Sequence, residues 1–151
     1  MIVDTSVWIQ HLRKGEPRLR EQLELGIVTV HPIIVGELAC GNLHNRTEVL
    51  ALLASLPTAP VIEHNELLGF VGRERLFGRG IGWIDVHLLA SARLSGLPLW
   101  TLDRRLADAA RALVSRLERR PKHNGPQAGP WQADRRRVGG WMLNIRGSGR
   151  L

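Results

Sequence analysis

The chain opens on an apolar run that stops at a carboxylate, Met1-Ile2-Val3-Asp4, and the pattern recurs at Pro98-Leu99-Trp100-Thr101-Leu102-Asp103. Two further acids interrupt apolar helical stretches. Glu37 lies in Ile33-Ile34-Val35-Gly36-Glu37-Leu38-Ala39, and Asp85 lies in Trp83-Ile84-Asp85-Val86-His87-Leu88-Leu89. Carboxylates are almost never fully buried unless they are paired or bind a metal. One such acid would be ordinary. Four of them, drawn from distant parts of the chain, point to a fold that gathers them around a cation.

Short β-branched or apolar runs at Ile2-Val3, Ile27-Val28-Thr29-Val30, Val61-Ile62 and Leu99-Trp100-Thr101 read as strands. Helical segments separate them. The first follows a Thr5 or Ser6 cap, carries Val7, Trp8, Ile9 and Leu12, and ends at Gly15. Pro17 opens a second that ends near Gly26, and Pro32 a third that reaches about Leu43 and carries Glu37. Further helices are expected over about 47–56, 65–77 and 84–94. The last, from Asp103 to about Leu117, places Leu106, Ala109, Ala110, Leu113 and Leu117 on one face. This alternation predicts an α/β fold with a mainly parallel sheet. In such a sheet the carboxyl ends of the strands line one crevice. Asp4 and Asp103 then face that crevice. The loop with Gly78, Gly80 and Gly82 brings Asp85 to the same edge.

The charge divides unevenly. Residues 1–114 hold 12 Lys/Arg and 12 Asp/Glu, whereas residues 115–151 hold 9 and 2, and so carry the whole net charge of +7. Residues 118–151 also contain Arg135-Arg136-Arg137, three of the eight prolines and six of the sixteen glycines. Such a segment buries too little apolar area to offset its ordering entropy. The expectation is therefore a domain over 1–117 and a disordered basic tail over 118–151. Alternating Trp141, Leu143 and Ile145 are compatible with an edge strand at 140–146. No apolar run reaches the roughly 20 residues that span a membrane. The amino terminus lacks a secretory pattern. A single cysteine, Cys40, excludes a disulfide framework and a cysteine-rich zinc site, and reads as a small buried hydrophobe in a reducing cytoplasm.

Hard carboxylate oxygens suit Mg²⁺ or Mn²⁺ and not zinc. Unneutralised, four clustered carboxylates repel, and some take up protons. A divalent cation relieves that repulsion and supports phosphodiester hydrolysis. Simpler roles compete for each residue. Asp4 and Asp103 can cap the helices that follow them. Asp85 can cap, or pair with Arg79 or Arg93. Glu37 is harder to explain that way, given its apolar neighbours.

Asp4-Thr5-Ser6-Val7-Trp8-Ile9, Gly36-Glu37-Leu38, Ile84-Asp85-Val86-His87-Leu88-Leu89-Ala90-Ser91-Ala92 and Leu99-Trp100-Thr101-Leu102-Asp103-Arg104-Arg105-Leu106 closely resemble PIN-domain ribonucleases. More narrowly, they resemble the VapC toxins of VapBC toxin–antitoxin pairs. The resemblance covers residues 1 to about 114. It implies a three-layer α/β/α fold around a mainly parallel sheet of four to five strands. It also implies a homodimer that cleaves RNA and is inhibited by a VapB-like antitoxin. It assigns Asp4, Glu37, Asp85 and Asp103 to binding Mg²⁺ or Mn²⁺, with Ser6 and Thr101 orienting carboxylates or water. After about residue 114 the chain departs from the family, and the tail reads as an RNA-binding arm, as the product of a shifted reading frame, or as sequence added to the natural protein.

Arg79, Arg104 and Arg105 are candidates for RNA phosphate contact, against the alternative of a solvated face. Asp108 is an outlying candidate for a second metal. Trp83 can stack on an unpaired base, whereas Trp100, in a strand, reads as core. Val7, Trp8, Leu12, Leu67, Leu68 and Phe70 read first as core, and second as a partner surface. The six histidines show no metal-ligand spacing. An aspartyl-phosphate phosphatase also begins with strand and Asp, but needs an Asp where Ser6 stands and a later Lys. The only lysines, Lys14 and Lys122, are poorly placed. A non-catalytic RNA- or partner-binding module using the tail is the alternative.

Overall fold

A computed structural model describes residues 1–119. The chain runs β1 (Ile2–Val3), α1 (Thr5–Lys14), α2 (Pro17–Glu24), α3 (Pro32–Cys40), α4 (Arg46–Ser55), α5 (His64–Arg73), α6 (Trp83–Ser95), β2 (Leu99–Trp100) and α7 (Arg104–Arg119). Six helices lie between β1 and β2, so the regular strand–helix alternation read from the sequence does not appear, and helices dominate. β1 pairs with β2 in parallel, with Ile2 opposite Leu99 and Val3 opposite Trp100. Beyond β1, single parallel bridges link Ile2 to Thr29 and Val30 to Thr58.

The four- to five-stranded sheet therefore does not develop among the described residues. Of the run Ile27-Val28-Thr29-Val30, only Thr29 and Val30 bridge, and Ile27 is exposed. Val61-Ile62 forms no strand, because the pairing partner of Val30 lies earlier, at Thr58. Prolines explain part of this. Pro57 and Pro60 flank that bridge, and a proline cannot donate to a ladder. Backbone hydrogen bonds still tie these rows together: Ile2 N to Pro98 O at 2.8 Å, Thr29 N to Met1 O at 2.7 Å, and Val30 N to Pro57 O at 2.8 Å.

Helix α6 is the central apolar element. Val86, Leu88, Leu89, Ala90 and Ala92 are all buried. It packs on α3, α5 and β2. Each fully buried Leu contributes about 1.5–3 kcal/mol. Gly96 caps it with φ 65°, a left-handed conformation that favours glycine. From α7, Leu106, Ala109, Ala110 and Leu113 join the core as the sequence pattern predicts. Val7, Trp8, Leu67 and Phe70 are core, while Leu12 and Leu68 are exposed. Arg93 is buried beside them, with an ion pair to Glu74 at 2.5 Å and its guanidinium 5.8 Å from the Phe70 ring.

Several boundaries differ from expectation. α3 ends at Cys40 and α5 at Arg73, followed by Arg75 at φ 49°. Cys40 is exposed, which corrects its reading as a buried hydrophobe. It shares a face of α3 with Glu37, three residues earlier, while Ile34 and Leu38 turn inward. α7 continues through Arg119. The remainder of the expected tail, including the possible strand at 140–146, lies outside the described residues. Among the described residues, no helix is long and apolar enough to cross a membrane.

The cap of α3 is a titratable group. Fully buried His31 accepts the Ile33 N–H on Nδ1 at 3.1 Å. Burial, then the neighbouring His87, lower its pKa from 6.5 to about 4, against the Pro60 carbonyl. Protonation at Nδ1 would also destroy the cap and set positive charge at a helix amino end. The folded pKa is depressed, so the unfolded chain binds more protons between those values. We predict that His31's contribution to stability is complete above pH 6.5 and declines as pH falls toward about 4. Chemical denaturation across that window should give a flatter pH profile for His31→Asn than for the wild type. Parallel profiles would refute this.

Candidate active site

Three of the four acids sit at helix amino ends. Asp4 precedes α1, Asp103 precedes α7, and Asp85 is the third residue of α6. Unsatisfied N–H groups there attract negative charge. Asp85 Oδ2 accepts the Gly82 N–H at 2.7 Å. Asp103 Oδ1 accepts from Arg105 N at 2.7 Å and Leu106 N at 3.1 Å. Asp4 Oδ2 accepts from the Ser6 hydroxyl at 2.5 Å and the Thr101 hydroxyl at 2.7 Å, and more weakly from Ser6 N at 3.4 Å. The capping roles weighed from sequence are thus real. They leave one oxygen of each acid uncommitted, so they do not exclude a second role.

The hydroxyls also join the two chain segments. Ser6 Oγ accepts from Leu102 N at 3.0 Å, and Thr101 Oγ1 accepts from Asp103 N at 3.0 Å. Asp4 N donates to Trp100 O at 2.9 Å, continuing the β1–β2 register. Ser6 and Thr101 therefore lie beside the acids, as the sequence led us to expect. Thr5, read from the sequence only as a helix cap, lies inside α1 behind the Asp4 cap and donates its hydroxyl to Glu37 Oε2. The only sequence signal for it was the hydroxyl pair Thr5-Ser6 directly after Asp4. Glu37 itself is exposed. Its apolar neighbours in sequence turn to other faces of α3, which corrects the expectation that they surround it.

Electrostatics link all four acids. Burial raises the pKa of Asp85 most, and repulsion from Asp4, Asp103 and Glu37 adds to the rise, against the Gly82 N–H. Among the described residues, no Lys or Arg side chain pairs with any of the four. Arg93 pairs with Glu74 instead, and Arg79 Nε donates to Arg75 O at 2.9 Å. Neither serves Asp85. Arg104 and Arg105 are exposed at the start of α7. Arg105 reaches the Asp85 loop, with Nη1 3.5 Å from Gly80 O. Gly80 has φ 68°, and an added Cβ would lie 3.1 Å from that Nη1. Asp108 is exposed and pairs with Arg111, so it stands apart from the quartet.

As they stand, no three His, Cys, Asp or Glu side chains among the described residues form a ready-made metal cage. Mg²⁺ does not require one. It retains several waters and takes one or two carboxylates together with substrate phosphates. Hard donors, excess negative charge and an open oxygen on each acid fit such an ion. Among the described residues nothing donates to Asp4 Oδ1, Glu37 Oε1, Asp85 Oδ1 or Asp103 Oδ2.

The histidines are less scattered than the sequence implied. His31 and His87 ring centroids lie 5.7 Å apart, and Trp83 lies 5.4 Å from His87 and 5.2 Å from His64. Trp83 is partly exposed, whereas Trp100 is buried with the Arg18 guanidinium 5.1 Å from its ring.

Residues 1–112 match the PIN domain. The chain belongs to the PIN-domain family. Ribonuclease VapC32 of Mycobacterium tuberculosis, from strains CDC 1551 / Oshkosh and ATCC 25618 / H37Rv, is 49% identical over 110 residues. That span is 72% of this chain and 89% of the relative. Within the PIN family the chain is thus of the VapC type. All four acids fall inside the PIN match.

The coupling of the acids is directly measurable. Carboxyl ¹³C NMR titration of the metal-free protein should place Asp85 above the ordinary Asp value of about 3.9. Asp103→Asn should lower it. An Asp85 value at or below the ordinary one, unmoved by Asp103→Asn, would show that the acids do not interact.

Proposed function

We propose that this protein is a metal-dependent endoribonuclease that hydrolyses RNA phosphodiesters at Asp4, Glu37, Asp85 and Asp103. We read it as the toxin of a toxin–antitoxin pair acting in the cytoplasm. The observation that carries this reading is the rise of Asp85 under the like charges of Asp4, Asp103 and Glu37, with an open oxygen on each acid, in a PIN domain. The identity to a protein named as a ribonuclease supports it.

A bound Mg²⁺ or Mn²⁺ would supply charge stabilisation at a phosphate oxygen and a more acidic water. The chain's own residues do the positioning. Ser6 and Thr101 hold Oδ2 of Asp4 and leave Oδ1 without a donor, so that Asp4 would be able to hold such an ion. The amino ends of α6 and α7 hold Asp85 and Asp103 in the same way. Such preorganisation avoids side-chain rearrangement as charge develops on the phosphate. Arg104 and Arg105, exposed beside Asp103, serve as phosphate contacts for the flanking RNA, with Arg79 a weaker candidate because it is tied to Arg75. An apolar groove among α1, α2 and α4, lined by Leu12, Leu23, Val49, Leu52 and Leu56, suits an apolar helix of a cognate VapB-like antitoxin. A homodimer completes the proposal.

Purified protein should cut a mixed cellular RNA pool into discrete fragments with Mn²⁺ or Mg²⁺, and not with EDTA. Asp4→Asn and Asp85→Asn should each reduce cleavage by roughly 100-fold or more while preserving the circular dichroism spectrum. Undiminished cleavage in both variants would refute the assignment. Metal-independent RNA binding without cleavage would favour a binding module.

A further inference from the structure

Glu37 is the one acid of the quartet without a backbone tether. Asp4 and Asp103 each accept an N–H from the first turn of a helix, and Asp85 accepts the N–H of Gly82, the cap of α6. Only the first four N–H groups of a helix are free for this. Glu37 is the sixth residue of α3, where N–H groups are already committed to the helix. It is exposed, and its side chain turns about three bonds. Left alone, it would sample solvent. Its charge nevertheless contributes to the environment of Asp85 on another helix.

What restrains it is Thr5. This residue is 8% exposed and is the first of α1, so its own position is set by packing. A β-branched side chain has few χ1 choices, which fixes the direction of the hydroxyl. That hydroxyl donates to Glu37 Oε2 across 32 residues of chain. It is the only group among the described residues that donates to Glu37. The helix pair α1 and α3 is in contact, which keeps donor and acceptor together.

We propose that Thr5 is a positioning residue for Glu37: it holds Oε2, keeps the carboxylate beside the other acids, and leaves Oε1 for the ion. The hydroxyl sets the site's affinity for a divalent cation through Glu37 and touches no reacting atom. This rests on the cation-site reading above. Groups that orient a metal ligand typically alter metal affinity by about 10- to 100-fold.

Calorimetric Mn²⁺ titration of the full chain tests it without using activity. Thr5→Val removes the hydroxyl at nearly constant shape, and should weaken Mn²⁺ binding by roughly 10-fold or more. Thr5→Ser keeps the hydroxyl and should restore binding to near the wild-type value. In a Glu37→Ala background, Thr5→Val should have no further effect, because the two act as one unit. Thermal melts check that each variant folds, and Thr5→Ala substitutes for Thr5→Val if that variant does not. Equal Mn²⁺ affinity for wild type and Thr5→Val overturns the Thr5 role and leaves the cation site standing. Loss in both Thr5→Val and Thr5→Ser, or additive losses with Glu37→Ala, also overturns it. A wild-type chain that binds no Mn²⁺ removes the cation site itself, and the Thr5 role with it.

Discussion

Two hydroxyls tie the ends of β1 and β2 together beside Asp4 and Asp103. Thr101 Oγ1 donates to Asp4 Oδ2 at 2.7 Å and accepts from Asp103 N at 3.0 Å. Ser6 mirrors it, donating to the same Asp4 oxygen and accepting from Leu102 N. Two residues from one strand end and two from the other thus define a small polar frame. It sits immediately beyond a β1–β2 pairing only two residues long. So short a ladder supplies few hydrogen bonds of its own. The flanking core, with Ile2, Val3, Leu99 and Trp100 all buried, supplies the rest of the fixation.

The frame stabilises charge locally while concentrating it regionally. Helix amino ends and hydroxyls each satisfy one oxygen per acid. No basic side chain among the described residues answers the net charge. The result appears at Asp85, where burial and three like charges all raise the proton affinity. A structural device would place an arginine there. The chain does place a buried arginine two turns further along α6, but on Glu74. Like charges gathered without a basic partner are characteristic of functional sites.

The positions of Asp4 and Asp103 were legible because each ends an apolar run, and an acid at a strand's carboxyl end in a parallel sheet has one place to go. Asp85 was legible from the glycine loop that precedes it. The environment of Glu37 was not. A sequence window shows that its neighbours are apolar, but helix geometry turns Ile34 and Leu38 inward and Glu37 and Cys40 outward. The same rotation overturned the reading of Cys40. The sheet was overestimated for a different reason. β-branched runs such as Ile27 to Val30 signal extended backbone, whereas ladder length depends on a partner the sequence does not display, here the proline-flanked Thr58. The Thr5–Glu37 bond and the approach of His31 and His64 to the Trp83–His87 face of α6 were not legible because they depend on contacts between separate elements.

The central claim is that Asp4, Glu37, Asp85 and Asp103 act as one cation site. Anomalous diffraction from crystals soaked in Mn²⁺ tests it most directly. The account predicts a Mn²⁺ peak bordered by oxygens of Asp4, Asp85 and Asp103, with Glu37 in direct or water-mediated contact. A saturating soak that yields no peak among these carboxylates, or Mn²⁺ bound only elsewhere, would contradict it.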